Sequence, residues 1–121
     1  MNFDFSDELK QLRDEARKFL ARAATRELSR QVLDGQRDHR ELWQAMAGMG
    51  WMGATVPEAA GGSGLGHLAV CVLAEEIGYA AAPVPYASSV YLATEALLLF
   101  GTPQQQSDWL PRLADGARWA P

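Results

Sequence analysis

Apolar residues recur at helical spacing near the start of the chain, at Leu9, Leu12, Ala16, Phe19, Leu20 and Ala23. Lys10, Arg13, Asp14, Arg17 and Lys18 fill the opposite side, so the pattern predicts an amphipathic helix over about residues 6–24. Ser6 ahead of Asp7 and Glu8 suits its N-terminus: the hydroxyl can accept an orphan amide, and the acids oppose the positive helix end. Residues 25–37 are weakly patterned, with Leu28, Val32 and Leu33 extending a helical turn before Asp34-Gly35 breaks it. Asp38 and Glu41 read as a capping pair for a second helix near 39–49, with Leu42, Met46 and Met49 on its apolar edge, Trp43 beside them and Gly50 as a left-handed stop. Trp51–Val56 reads as a short extended piece ended by Pro57.

Two further helices differ from the first in having few polar positions. His67–Gly78 carries Leu68, Cys71, Val72 and Glu75 on one face and Val70, Leu73 and Ile77 on another, which predicts burial on more than one side. After a turn over Tyr79–Tyr86, Ser88–Phe100 is again largely apolar and ends at Gly101. Thr102 and Gln105 form a capping box with Pro103 at the first helical position, and Trp109, Leu110 and Leu113 are the apolar side of a last helix closed by Gly116. Pro111 inside it predicts a bend or a shortening. The whole pattern predicts an all-α domain of five or six helices spanning 1–121.

Between the second and third helices lies Pro57-Glu58-Ala59-Ala60-Gly61-Gly62-Ser63-Gly64-Leu65-Gly66. So many glycines form neither a helix nor an ordinary strand, yet the segment sits between apolar regions, which predicts a tight, specified reversal. A phosphate cradle fits poorly. A P-loop needs Lys and Ser or Thr after its last glycine, where this chain has His67 and Leu68, and the spacing of Gly62, Gly64 and Gly66 is not the dinucleotide fingerprint.

Charge sharpens the picture. The net charge of −4 argues against nucleic acid as a partner. Nine of the eleven Lys and Arg residues lie within the first 40 positions, and none lies between Glu41 and Pro111. The first third therefore reads as a solvated surface and the next seventy residues as largely covered. A domain this small has a large surface for its volume, so something else is expected to pack on it, and alone it is expected to self-associate. One cysteine excludes an internal disulfide and suits a reducing, cytoplasmic setting. The N-terminus has acids where a secretory signal needs bases, and no apolar run is long enough to span a membrane.

Candidate chemistry is sparse. His39 and His67 have no cysteine or second histidine at ligand spacing, so no metal site is predicted. Cys71, on the side of Leu68 and Val72, reads as a buried apolar residue. Glu75 and Glu76 are adjacent and so point to different sides of their helix. No catalytic constellation emerges.

In order, Leu42-Trp43, Gly50-Trp51-Met52-Gly53, Val56 through Gly64, Glu75-Glu76-Ile77-Gly78, Pro83 to Pro85, Gly101-Thr102 with Gln105, Trp109-Leu110-Pro111 and Leu113-Ala114 with Gly116 form a series. Together with the opening Phe3–Leu20, this series resembles the N-terminal helical domain of the flavin-dependent acyl-CoA dehydrogenases, in which Pro-Glu-x-x-Gly-Gly-x-Gly is a signature. Residues 25–38 match least. The resemblance implies a larger assembly in which a β-rich middle domain and a second helical domain, absent here, hold FAD together with a neighbouring subunit, and in which the catalytic base lies in or near the second helical domain. It implies that this chain carries no catalytic or cofactor-binding residue, retains no FAD alone and is inactive alone. It also implies that the fourth helix lies beside the acyl chain of an acyl-CoA substrate. On that helix Pro85, Ser88, Ser89, Leu92 and Ala96 follow i, i+3, i+4 spacing and are the candidate pocket lining, with the small serines leaving room; the same spacing equally serves packing against other helices. The rival reading is a stand-alone helical interaction module, or a subunit of a heteromeric dehydrogenase.

Overall fold

The computed structural model of the chain describes residues 4–121; Phe3, where the resemblance begins, lies outside them. Six α-helices, one 3₁₀ turn and one π-helical segment are present, and no strand occurs among the described residues. Helix α1 (Asp7–Ala23) starts at Ser6, whose hydroxyl accepts from the Leu9 amide at 3.3 Å. Its buried stripe, Ala16 and Leu20, lies against α4 (His67–Tyr79). The weakly patterned region holds a helix of its own, α2 (Arg26–Leu33), because Thr25 caps it by accepting from the Leu28 amide at 3.2 Å. That is more structure than the expected single turn.

Helix α3 (Arg40–Gly48) buries Leu42, Trp43 and Met46. The expected capping pair does not form. Asp38 accepts from the Arg40 amide at 3.0 Å, but Glu41 is drawn to Arg37, also at 3.0 Å, so the reciprocal half of the box is missing. Gly50 takes φ +80°, as a left-handed stop requires. Trp51–Val56 is not extended; it is a run of turns. Trp51, Met52, Ala54 and Val56 are all buried, and the Gly53 carbonyl accepts from both Val56 N and Ser63 N, which folds the loop onto the connector.

The connector contains a 3₁₀ turn at Glu58–Ala60, and its amides are spent inside the fold. Gly62 N donates to Pro57 O, Ser63 N to Gly53 O, Gly64 N to Val56 O and Gly66 N to Ala54 O, at 2.8 to 3.0 Å. Gly62 is required by close approach: a Cβ there would stand 2.0 Å from the Val56 carbonyl oxygen.

Helix α4 is the core helix, burying Ala69, Val70, Val72, Leu73, Glu76 and Ile77. Its burial is nonetheless one-sided, because α1 and the core occupy only part of its circumference. Leu68, Cys71 and Glu75, at i, i+3 and i+7, face solvent. The expected burial of Cys71 is therefore corrected: its line on the helix points away from α1 and the core, and the thiol is exposed. Helix α4 ends with Ala81 at φ +50°, where Ala82 N donates to Ile77 O and Ala81 N to Gly78 O, a Schellman closure built on a non-glycine residue.

The last helical pair begins with the π segment (Ala87–Thr94), which runs directly into α5 (Glu95–Phe100). Helix α6 (Pro103–Ala114) has the expected capping box and carries through Pro111 to Ala114. With Val56, its Leu110 and Ala114 form a second, smaller core against Ala60, Leu97 and Leu98.

Candidate functional site

The spacing predicts one face of Pro85, Ser88, Ser89, Leu92 and Ala96 on a helix over Ser88–Phe100; the helix spans Ala87–Phe100, and its π register breaks that face up. In an i→i+5 helix, residues at i, i+3 and i+4 no longer line a single side. Ser89 is buried, Ser88 and Pro85 are half-buried, and Leu92 and Ala96 are exposed. The two serines leave no open room, since the segment 117–121 folds back over them. Ser88 Oγ donates to the Ala120 carbonyl at 2.6 Å, and the Ala120 amide donates to Ser89 Oγ at 2.9 Å. Pro85 lies at the head of the helix, beside Tyr86, whose hydroxyl donates to the Trp51 carbonyl at 2.8 Å. Burial pushes the Tyr86 phenol far above its ordinary value.

What remains open is an apolar row. Leu92 is 68% exposed and Leu99 69%, with exposed Ala96 between them at i, i+4 and i+7, and Phe100 at the end is 85% exposed. No residue of α5 is buried. Leu97 and Leu98 turn the other way and pack on α6. Beside Leu97 and Ala93 lies a shallow, mostly apolar depression of ≈ 350 Å³, shared with Trp109, Leu113, Arg118, Trp119 and Ala120. Tyr91 stands edge-on to Tyr86, with ring centroids 5.6 Å apart. Burial first, and Cys71 second, raise its phenol above the ordinary value. His67 Nε2 lies 2.7 Å from Glu95 Oε1 and ties the start of α4 to α5.

Residue patterning did not single out Leu99, Phe100, Thr94 or the 117–121 segment. Thr94, one of few polar positions in an apolar helix, was the available signal: it is fully buried, and its Oγ1 donates to the Ser89 carbonyl at 2.7 Å. Elsewhere the main polar feature is structural. Glu76, 1% exposed, takes both arms of the Arg17 fork at 2.9 Å, and its carboxylate holds the guanidinium above its ordinary value. Among the described residues no group of three or more His, Cys, Asp or Glu side chains is placed to hold a metal. The connector does not fit a flavin pyrophosphate either. The amides of Gly61, Gly62, Ser63, Gly64 and Gly66 already donate to backbone carbonyls, and the sequence from 41 to 111 has no Lys or Arg to meet the charge.

The family model described as acyl-CoA dehydrogenase, N-terminal domain, matches residues 6–117. The chain belongs to the acyl-CoA dehydrogenase family. Acyl-CoA dehydrogenase FadE27 of Mycobacterium tuberculosis is 39% identical over 83 residues, 69% of this chain and 22% of that protein. A variant of the Tcur3481-Tcur3483 steroid ACAD superposes with a TM-score of 0.81 at 41% identity, over 93% of this chain and 31% of that one. An acyl-CoA dehydrogenase from Bacillus anthracis, solved with FAD, superposes with a TM-score of 0.86 at 28% identity, over 97% of this chain and 20% of that one. The chain thus spans about a fifth to a third of the length of these relatives. Among the described residues of this acyl-CoA dehydrogenase domain, no helix is long and apolar enough to cross a membrane.

Proposed function

We propose that residues 1–121 are the N-terminal helical domain of an FAD-dependent enzyme that introduces a Cα–Cβ double bond into an acyl-CoA thioester, and that the helix Ala87–Phe100 is one wall of its acyl pocket. The observation that carries this reading is the row Leu92, Ala96 and Leu99, apolar and exposed on a helix without a cation. An apolar wall of this kind excludes water from a reacting thioester and strengthens electrostatics there. The flavin accepts the hydride when bound, and this domain orients the acyl group. Flavin site and catalytic base belong to further polypeptide, in this chain's continuation or in a partner subunit; the two-component designation of the steroid ACAD relative supports a partner. The same relative favours a bulky polycyclic acyl group over a short one. Within the pocket the working residues are then Leu92 and Ala96, while Pro85, Ser88 and Ser89 position the helix. A cytoplasmic, oligomeric enzyme fits this reading.

The test is a replacement. The chain is fused in place of the N-terminal domain of FadE27, and acyl-CoA-dependent reduction of an artificial electron acceptor is measured beside the chain alone. The fusion is expected to retain yellow flavin and turn over, and the chain alone to do neither. A fusion that holds FAD but reduces nothing with any acyl-CoA, or a chain that by itself retains stoichiometric flavin, contradicts the proposal.

A further inference from the structure

The helix Ala87–Phe100 changes register midway, from π over Ala87–Thr94 to α over Glu95–Phe100. Eight residues of π-helix are long for a geometry that mostly occurs as single-turn bulges, often at functional sites. Something must hold it, and two sets of bonds are placed to do so. From within, the buried Thr94 Oγ1 donates to the carbonyl five residues back, Ser89, at 2.7 Å. A threonine inside an α-helix returns its hydroxyl to the carbonyl four back, which here is Val90; the observed bond belongs to the π register. From outside, Ser88 and Ser89 hold the backbone of Ala120, so two consecutive side chains are engaged by one residue of the 117–121 segment.

The ends of the π segment are anchored independently of its register. Tyr86 is bonded to the Trp51 carbonyl before it, and Leu97 and Leu98 pack on the second core after it. A change to α geometry therefore has to be absorbed between those anchors. One residue corresponds to about 100° of rotation on an α-helix, enough to carry a side chain from one face to another. Tyr91 and Leu92 lie in the stretch that would turn, whereas Ala96 and Leu99 lie beyond it.

We propose that Thr94 is the positioning residue of the apolar wall: its hydroxyl keeps Ala87–Thr94 in the π register and so sets the side to which Tyr91 and Leu92 are turned. The inference deepens the pocket-wall reading and rests on it for its functional consequence, while the register itself is a property of this chain.

Solution NMR of the full chain tests it. The wild type is expected to show side-chain contacts between residues i and i+5 over 87–94. T94V, close in volume but without the donor, is expected to lose these, gain i to i+4 contacts, and change the exposure of the Leu92 methyl groups to a soluble paramagnetic probe. T94S, which keeps the donor, retains the wild-type pattern. If T94V does not fold, T94A replaces it with the same expected outcome. An i to i+5 pattern that survives loss of the hydroxyl, or is lost in T94S, overturns the proposal. In the FadE27 fusion, T94V is expected to raise KM for bulky acyl-CoAs with a smaller change in kcat. A register that shifts while acyl preference stays supports the role of Thr94 and sinks the pocket-wall reading. A register that holds sinks the role of Thr94 whatever the acyl preference does.

Discussion

Helix α4 and the helix Ala87–Phe100 look alike as sequences: both are mostly apolar, and neither contains Lys or Arg. Their fates differ. Helix α4 buries six residues against α1 and the main core, whereas the helix Ala87–Phe100 buries only Ser89, Val90 and Thr94 and leaves Leu92, Leu99 and Phe100 in solvent. Apolar content therefore says that a helix needs partners, and the placement of those partners decides whether the domain supplies them. Helix α4 finds partners for one side at home and leaves Leu68 in solvent; the outer side of the other helix waits for something else.

The most direct way to break this comparison is to truncate one leucine on each helix. Leu73, fully buried on α4, is expected to cost about 2–5 kcal/mol when changed to Ala, through lost transfer energy and a cavity. Leu99→Ala is expected to stay within about 0.5 kcal/mol, as for an ordinary surface change. Urea unfolding followed by tryptophan fluorescence reads both. Equal costs would mean that the exposed row is already packed in the isolated chain.

The next largest effect concerns charge. Helix α4 buries Glu76 where α1 brings the Arg17 fork to it, with Arg13 Nε 4.0 Å away as a second cation. Glu76→Gln is expected to cost about 2 kcal/mol, the scale of a hydrogen bond to a charged group. Arg17→Ala should cost more, because it strands a buried carboxylate, whereas losing Glu76 only returns a half-exposed arginine to water. The same unfolding assay orders the two.

Buried Tyr86 at the head of the π segment gives a pH signature. Its phenol is raised in the folded state, so its contribution is fully present below the unfolded value of about 10 and is lost as pH rises past it. Stability should fall by about 1.4 kcal/mol per pH unit above pH ~10. Tyr86→Phe should flatten that slope while losing the bond to Trp51. A smaller gain is expected at the end of α4. Ala81 sits at φ +50°, where a Cβ costs roughly 1–2 kcal/mol, so Ala81→Gly should stabilise by about 1 kcal/mol after its larger unfolded-state entropy is offset. A thermal melt at neutral pH reads the sign.

Features written in local chemistry were legible in the sequence: the Ser6 cap, the Thr102–Gln105 box, the Gly50 stop and the reversal at the glycine connector. Each depends on a few neighbouring residues. Features that depend on a distant partner were not. Nothing near Glu76 announces that Arg17, 59 positions earlier, will neutralise it. Cys71 has apolar neighbours in sequence and solvent in space, because α1 and the core take the other side of α4. The candidate lining was drawn with α-helical spacing, and the π register, held by Thr94 and by Ala120 on Ser88 and Ser89, redistributes it. Helix α2 rests on a Thr25 cap inside a stretch, residues 25–37, whose apolar pattern predicts only a helical turn.

The central claim is that the row Leu92, Ala96 and Leu99 faces an acyl group. Its most direct test is the ratio of kcat/KM for bulky and short acyl-CoAs in the FadE27 fusion, with and without Ala96→Trp. A tryptophan at this exposed position is expected to leave folding and flavin retention unchanged and to lower the ratio at least ~10-fold, a pocket-contact effect of the usual size. An unchanged ratio, or an equal loss for both substrates, would contradict it.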